Sequence, residues 1–275
     1  MANYSSIKLS VVMPAYNAAK NIHSAIRSSL QAMPKNSELI IIDDGSVDKT
    51  RDLVAEIKDS RLVLLSQQHS GIVAALNRGL QVARGDYLAR MDSDDICLPW
   101  RFSRQLQYLE SHPEIDFHFS PAIAFGKPVR PYFFLPQVPL SLPPEFFMSE
   151  LMIRNPAVHP SMICKRNSLL ELGGYENVPA EDENLWLRAA IRGMSLSRAA
   201  MPTILLRLHR GQTTRQESWK SMVAEDQHND VLRSELRVKQ EGKTSSIDVR
   251  GVRALLTKLD NHGLPALIAP WKPRR

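Results

Sequence analysis

Arg84-Gly85-Asp86-Tyr87-Leu88-Ala89-Arg90-Met91-Asp92-Ser93-Asp94-Asp95 is the stretch on which the reading of the fold turns. A turn at Arg84-Gly85 leads into a short, mostly apolar run, which empties into three carboxylates within four residues. In an α/β protein, ligands bind beyond the C-terminal ends of the strands. Three acids crowded at such an exit repel one another unless a cation or a ligand neutralises them. Mg²⁺ and Mn²⁺ prefer carboxylate oxygen, and Mg²⁺ is commonly held by one or two carboxylates together with phosphate oxygens. Asp92-Ser93-Asp94 therefore reads as a D-x-D holding a divalent cation against a diphosphate, or else as an acidic turn capping the next helix. The rest of the chain has to decide.

Outward from that stretch, strand and helix signals alternate. Ile7 to Met13 reads as a first strand closed by Pro14, and Asn17 can cap a helix whose apolar stripe is Ile22, Ala25, Ile26, Ser29 and Leu30. Glu38 to Ile42 is a second strand with the continuous apolar run expected when helices cover both faces of a sheet. It ends at Asp43-Asp44-Gly45-Ser46, again carboxylates at a strand exit, and Asp48 starts the next helix. Arg61 to Leu65 is a third strand, followed by a helix presenting Ile72, Leu76, Leu80 and Ala83. The fourth strand delivers Asp92. Four such alternations in about 95 residues argue for a mostly parallel, Rossmann-like nucleotide-binding sheet. A helix from Pro99 to Glu110 follows, opening with proline in its first turn.

Past Ser120 the texture changes. Seven prolines fall between Pro121 and Pro144, interleaved with Tyr132, Phe133, Phe134 and Leu135, a density that excludes a long helix or a central strand. An irregular lid or a strand-and-loop region is expected there. A strand at Ser161 to Cys164 follows, then a helix from Ser168 to Gly173-Gly174, a helix opened by Glu181-Asp182-Glu183, and a last strand from Thr203 to Leu208. Acids in a helix's first turn are the ordinary capping preference, so capping is the plain alternative for that triplet.

The composition, 43% hydrophobic and 23% charged over 275 residues, suits one α/β domain, alone or with a smaller appendage. No apolar run approaches the ~18 residues needed to span a bilayer, and the polar start from Met1 to Ser6 shows no signal peptide. Cys97 and Cys164 make no metal-like spacing, which suits a reducing, cytoplasmic compartment. The surplus of positive charge lies late in the chain: 14 Lys/Arg stand against 8 Asp/Glu from Arg207 onward, and 21 against 21 before it. A nucleic-acid partner would want a basic stripe on the core, so none is expected. In the tail, Val231, Leu232, Leu236 and Val238 form a surface-helix pattern. Val252, Leu255, Leu256 and Leu259 interleave with Arg250, Arg253 and Lys258 as an amphipathic helix with a basic face. Such a tail can lie on an anionic membrane at the cytosolic face, pack on its own domain, or join a second subunit.

Several short motifs then combine: Val11-Val12-Met13-Pro14-Ala15-Tyr16-Asn17, Asp43-Asp44-Gly45-Ser46, Asn77-Arg78-Gly79-Leu80 with Gly85-Asp86-Tyr87, and Asp92-Ser93-Asp94-Asp95. After them come His159-Pro160-Ser161, Gly173-Gly174-Tyr175, Glu181-Asp182 with Leu185-Trp186-Leu187-Arg188, and Arg207-Leu208-His209. In this order the chain resembles the family 2 glycosyltransferases, nucleotide-sugar enzymes of the GT-A fold, over roughly residues 7–215. The resemblance implies a donor-binding half at 1–115, an acceptor and catalytic half at 116–215, and an extension at 216–275. It implies that Pro14, Tyr16 and Asp44 line the nucleobase, with Asp43 nearby, and that Asn17, Asn77, Ser93 and His159 complete the donor-side set, while acceptor contacts fall in the Pro121–Pro144 stretch and around His159. It places Asp92 near the ribose, Asp94 on a Mn²⁺ or Mg²⁺ ion, Asp95 as an outer contact, and His209 near the metal or diphosphate. It makes Asp182 the base that takes the acceptor's proton, with Glu181 as the rival carboxylate. In-line attack would invert the anomeric centre.

The partners so implied are a nucleoside-diphosphate sugar, UDP-linked by preference, and a glycan or glycolipid acceptor, with an oligomer left open. The family often carries Arg where this chain has Leu76, and the Gln-x-x-Arg-Trp pattern of processive members is missing, which favours single addition. A sugar-1-phosphate nucleotidyltransferase would need a Gly-rich loop after the first strand, where Pro14-Ala15-Tyr16-Asn17 has no glycine. A catalytically idle nucleotide-sugar-binding protein would not need both an intact D-x-D and an intact Glu-Asp pair.

Overall fold

The structure is a computed structural model, and it describes residues 7–126, 141–209 and 217–241. The middle of the proline-rich stretch, with Tyr132 to Leu135, and the basic helix expected around Val252 to Leu259 lie outside the described residues.

The first half runs β1 (Leu9–Ala15), α1 (Ile22–Ala32), β2 (Ser37–Asp43), α2 (Thr50–Ala55), β3 (Leu62–Ser66), α3 (Ile72–Val82) and β4 (Tyr87–Arg90). Then come β5 (Ile96–Cys97), α4 (Arg101–Ser111), β6 (Phe117–Phe119), β7 (Ala122–Gly126), α5 (Pro144–Leu151), a 3₁₀ turn (His159–Ser161) and β8 (Ile163–Lys165). The chain continues through α6 (Arg166–Glu171), α7 (Glu181–Ile191), β9 (Leu196–Arg198), β10 (Ile204–Leu208), α8 (Glu217–Glu225) and α9 (His228–Glu241). The main sheet has the order β3-β2-β1-β4-β8-β6-β9. β3, β2, β1 and β4 are mutually parallel, whereas β8 runs antiparallel to both β4 and β6. A smaller sheet has the order β5-β10-β7.

Continuous apolar runs in β1 and β2 are possible because both faces of the sheet are covered. Val12, Ile40, Ile42 and Leu88 enter one core with Leu76 and Leu80 of α3 and Trp186 of α7. Leu9, Val11, Met13, Leu39, Ile41 and Ala89 enter the other with Ile22 and Ile26 of α1 and Phe102 of α4. Burying each such side chain contributes about 1.5–3 kcal/mol. The strand order reverses direction between β1 and β4, and the crevice outside such a switch point is where open α/β sheets bind ligands. The register sets what lines it: Ala15 pairs with Asp43, Val12 pairs with Arg90, and Met91 N–H reaches Val12 O at 3.0 Å. β1, β2 and β4 therefore release Tyr16, Asp44 and Asp92 on the same edge.

Some boundaries differ from the sequence reading. α1 begins at Ile22, and Asn17 does not cap it. Asn17 instead has φ +49 and braces the loop after β2, its Oδ1 accepting Val47 N–H at 3.0 Å and its own N–H donating to Ser46 Oγ at 3.0 Å. The proline-rich stretch yields β7 at an edge of the small sheet and α5 starting on Pro144 at its first turn, as proline's fixed φ and missing N–H dictate. The helix read as a surface element is seated on the domain: Leu236 of α9 is fully buried in the α7 core, while Val231 and Val238 stay exposed. None of the described helices is long and apolar enough to cross a membrane.

Candidate active site

At the exit of β1 and β2 the carboxylates of the nucleotide-side motif are already engaged. Asp43 is buried, with Oδ1 accepting Ser46 N–H at 3.3 Å. Asp44 accepts Gln67 Nε2 at 2.7 Å and the Ser70 and Gly71 N–H groups at 2.9 Å, and its Oδ2 lies 2.8 Å from His69 Nδ1. Burial works to raise its pKa, but these donors outweigh it and hold the carboxyl below the usual value. The His69 ring stacks on Tyr16 with centroids 4.1 Å apart, which leaves Tyr16 about half exposed beside half-buried Pro14. The sequence reading did not single out His69.

At the β4 exit the D-x-D cluster forms as expected. Ligand atoms of Asp92, Asp94 and Asp95 lie within 4.8 Å of one another, with half-buried Ser93 between the first two. Asp92 is gripped by Arg90, Nη2 to Oδ1 at 2.5 Å and Nη1 to Oδ2 at 2.7 Å. Burial pushes the Asp92 carboxyl up, Arg90 pulls against this, and Asp94 adds to it. β10 closes the cluster from the other side. His209 Nε2 is 2.9 Å from Asp94 Oδ2, Arg207 N–H donates to Asp95 Oδ1 at 2.7 Å, and Arg207 Nε donates to Asp94 O at 2.7 Å. Asp95 is 1% exposed and its Oδ2 has no partner. Burial and the neighbouring Asp92 drive its pKa well above the ordinary value. Carboxylate oxygens with one imidazole beside them suit Mg²⁺ or Mn²⁺, and a cation would relieve both the crowding and the orphaned oxygen. The residues present fit the ion that the D-x-D implies.

The floor under this cluster is a buried arginine, Arg101, whose Nη2 donates to Arg90 O at 2.7 Å and Met162 O at 3.3 Å. It ties the end of β4 to the turn that carries His159. That histidine is buried, its Nε2 2.9 Å from Tyr175 Oη and its Nδ1 3.9 Å from Glu181 Oε1. Burial, with Arg90 nearby, keeps its pKa well below the ordinary value, so the ring is neutral. The His159 ring is thus bonded to Tyr175 and set beside Glu181, with Arg90 acting on it from the β4 exit. Asn77 does not point its amide to the crevice: Nδ2 donates to Tyr175 O at 2.8 Å and Oδ1 accepts Tyr175 N–H at 2.9 Å.

Glu181 and Asp182 open α7 behind Ala180, a left-handed residue at φ +52. Asp182 Oδ2 accepts Asn155 Nδ2 at 3.0 Å. Burial and the adjacent Asp182 push Glu181 up to about 7, with Asp92 adding to the shift and Arg90 opposing it. Burial raises Asp182 as well, against Asn155 and Arg90. Arg90 at the β4 exit therefore acts electrostatically on both acids of α7, and Asp92 acts on Glu181. The main chain links the two sides as well: Arg90 N–H donates to Met162 O at 3.1 Å, Met162 N–H donates to His159 O at 3.1 Å, and His159 Nδ1 is 3.9 Å from Glu181 Oε1.

A mostly parallel sheet with acids at its switch point and a second carboxylate pair at a helix start is the arrangement that the GT-A resemblance implied. The solved fold of TarS 1–349 from S. aureus, in complex with UDP-GlcNAc, superposes with TM-score 0.64 at 17% identity, covering 86% of this chain and 73% of that one. The model of Glycosyl transferase family 2 matches residues 10–150. The amylovoran biosynthesis glycosyltransferase AmsE of Erwinia amylovora is 30% identical over 241 residues, 85% of this chain and 87% of its own length. The UDP-Glc:alpha-D-GlcNAc-diphosphoundecaprenol beta-1,3-glucosyltransferase WfaP of Escherichia coli is 28% identical over 207 residues, 75% of this chain and 79% of its own length. The chain belongs to glycosyl transferase family 2 and is a glycosyltransferase.

Proposed function

We propose that the chain moves a single sugar from a UDP-sugar to an acceptor hydroxyl, with inversion and with dependence on a divalent cation held by Asp94, Asp92 and His209. The observation that carries this reading is the link between the two acid groups: Arg90, forked onto Asp92, is joined through Met162 to His159, whose Nδ1 is 3.9 Å from Glu181, and its charge acts on both Glu181 and Asp182. A bound Mn²⁺ or Mg²⁺ would supply Lewis-acid stabilisation of charge on the leaving diphosphate. The protein supplies the rest. Glu181, pushed up to about 7 by burial and by Asp182, is part-protonated at neutral pH, which leaves less negative charge beside its neighbour. Asp182, oriented by Asn155, is the member we assign to take the acceptor's proton, and its raised pKa makes it a stronger base than an exposed aspartate. Tyr16 and its His69 stack, with Pro14, offer a face to the base, and Asp43 and Asp44 fix the loops around it.

By this reading residues 1–115 serve the donor and 116–215 the acceptor. The diphosphoundecaprenol acceptor named for WfaP, with the amylovoran biosynthesis named for AmsE, makes a glycolipid or growing surface polysaccharide at the cytosolic membrane face the acceptor class to try first. The test is a panel of nucleotide sugars, scored for divalent-dependent release of nucleoside diphosphate with acceptor present. The anomeric configuration of the product is then read by NMR. Release of pyrophosphate, or a retained configuration, would overturn the proposal.

A further inference from the structure

Arg90 is the charged position in the otherwise apolar β4 (Tyr87-Leu88-Ala89-Arg90). It is 4% exposed, and its main chain is pinned on both sides: N–H donates to Met162 O at 3.1 Å and the carbonyl accepts Arg101 Nη2 at 2.7 Å. The guanidinium forks onto both oxygens of Asp92, and its Nε has no partner. Burying an ion pair in this way is a weak route to stability, because desolvation offsets most of the attraction. A well-packed apolar side chain at the end of β4 would serve the fold as well. What an apolar residue would not supply is the charge and the fork. On the acceptor side the same main-chain anchor, Met162, donates its N–H to His159 O at 3.1 Å, and the His159 ring lies 2.9 Å from Tyr175 Oη and 3.9 Å from Glu181 Oε1. From this position the charge acts on Asp92 and Asp95 on one side and on His159, Tyr175, Glu181 and Asp182 on the other.

We infer that Arg90 is a positioning residue for sugar transfer: its fork sets the orientation of Asp92 on the donor side, and its fixed charge serves the Glu181-Asp182 pair on the acceptor side. This rests on the proposed function, in which both groups serve one reaction. The polar groups that face the pair are Asn155, His159, Tyr175, Asp92, Arg90 and, from the same helix, Glu183. Among these Arg90 is the cation. The fork and the charge make separable contributions, because lysine keeps the charge but cannot span both oxygens of a carboxylate.

The experiment compares full-length wild type, Arg90→Lys and Arg90→Met. Binding of UDP with Mn²⁺ is followed by calorimetry, and transfer is followed as kcat and donor KM across pH. Arg90→Lys is expected to weaken UDP–Mn²⁺ binding roughly tenfold while leaving the acid limb of the kcat profile in place. Arg90→Met is expected to weaken binding similarly and also to move that limb upward by about one pH unit, since the pair loses its nearby cation. Wild-type binding in Arg90→Lys, or an unmoved limb in Arg90→Met, overturns the inference. If Arg90→Met does not fold, the affinity of Arg90→Lys decides alone; if neither folds, Arg90 serves folding and the inference is lost. A wild-type enzyme inactive with every donor would instead remove the proposed function, so the two failures are distinguishable.

Discussion

Asn77→Ala separates two roles for a residue that the family motif places on the donor side. In the structure its amide clamps the Tyr175 main chain with bonds of 2.8 and 2.9 Å, joining α3 to the loop that leads into α7. The clamp is tight on the other side as well: Gly174, at φ +78, is the residue a Cβ would drive into Asn77 Oδ1. Alanine removes both bonds and leaves the Tyr175 N–H and carbonyl without their partner, at about 1–2 kcal/mol each. The expected loss is therefore about 2–4 kcal/mol, a large share of the ~5–15 kcal/mol that holds a typical domain together. For a domain of this size it corresponds to a fall in Tm of about 5–12 °C. Urea unfolding of wild type and Asn77→Ala measures the loss directly. Kinetics on the folded fraction should show kcat reduced, because the loop positions Glu181 and Asp182, with donor KM changed little. An unchanged unfolding midpoint together with a donor KM raised tenfold would refute this reasoning and return Asn77 to the donor.

Three further outcomes follow from particular contacts. Asp44→Asn should cost about 2 kcal/mol, because a carboxamide has one acceptor oxygen for the donors that Asp44 holds on two. The folded pKa of Asp44 is depressed, so its contribution is present above the unfolded value and lost as pH falls through the folded one. The gap between wild type and Asp44→Asn in urea midpoint should therefore close in strong acid, and a gap that persists there would contradict the assignment. Gly79→Ala should destabilise by a few kcal/mol although alanine is the better helix former, since its Cβ would overlap Val12 Cγ1 in the sheet core; a gain in Tm would show that β1 yields. Cys97 is pushed up to about 11 by burial and Cys164 is likewise raised by burial, so neither should react with a thiol reagent at mildly alkaline pH until the protein unfolds.

What was legible in the sequence was whatever long periodic runs encode. The parallel strands from β1 to β3 appear as apolar runs bounded by turns, and each helix between them shows a stripe, because both sheet faces are buried over several residues. β5, β6 and β9 left no such trace. They are two or three residues long, and β9 is Leu-Ser-Arg, with buried Arg198 satisfied in part by Pro156 O at 2.5 Å. Acids at strand exits were equally legible, since clustered like charges stand out in any context. Their counter-groups were not. Arg90 interrupts the apolar run of β4 immediately before Met91-Asp92, and that break was the one available signal; Arg101, 11 residues further on in a helix, looks like any surface arginine. His69 and Asn155 act through distant chain segments, Asp44 and Asp182, and no local pattern marks such pairs. The bonds that Asn77 and His159 make to Tyr175 were not legible either, because a motif reports which residues recur and not which way their side chains turn.

The central claim is that the acids at the β4 exit and the pair at the start of α7 act on one sugar. Asp182→Asn, assayed for transfer and for UDP-sugar binding in Mn²⁺, bears on it most directly. The account predicts turnover down by about 10²–10⁴-fold with donor affinity kept within a few-fold. Turnover at the wild-type rate, or donor binding lost along with turnover, would contradict it.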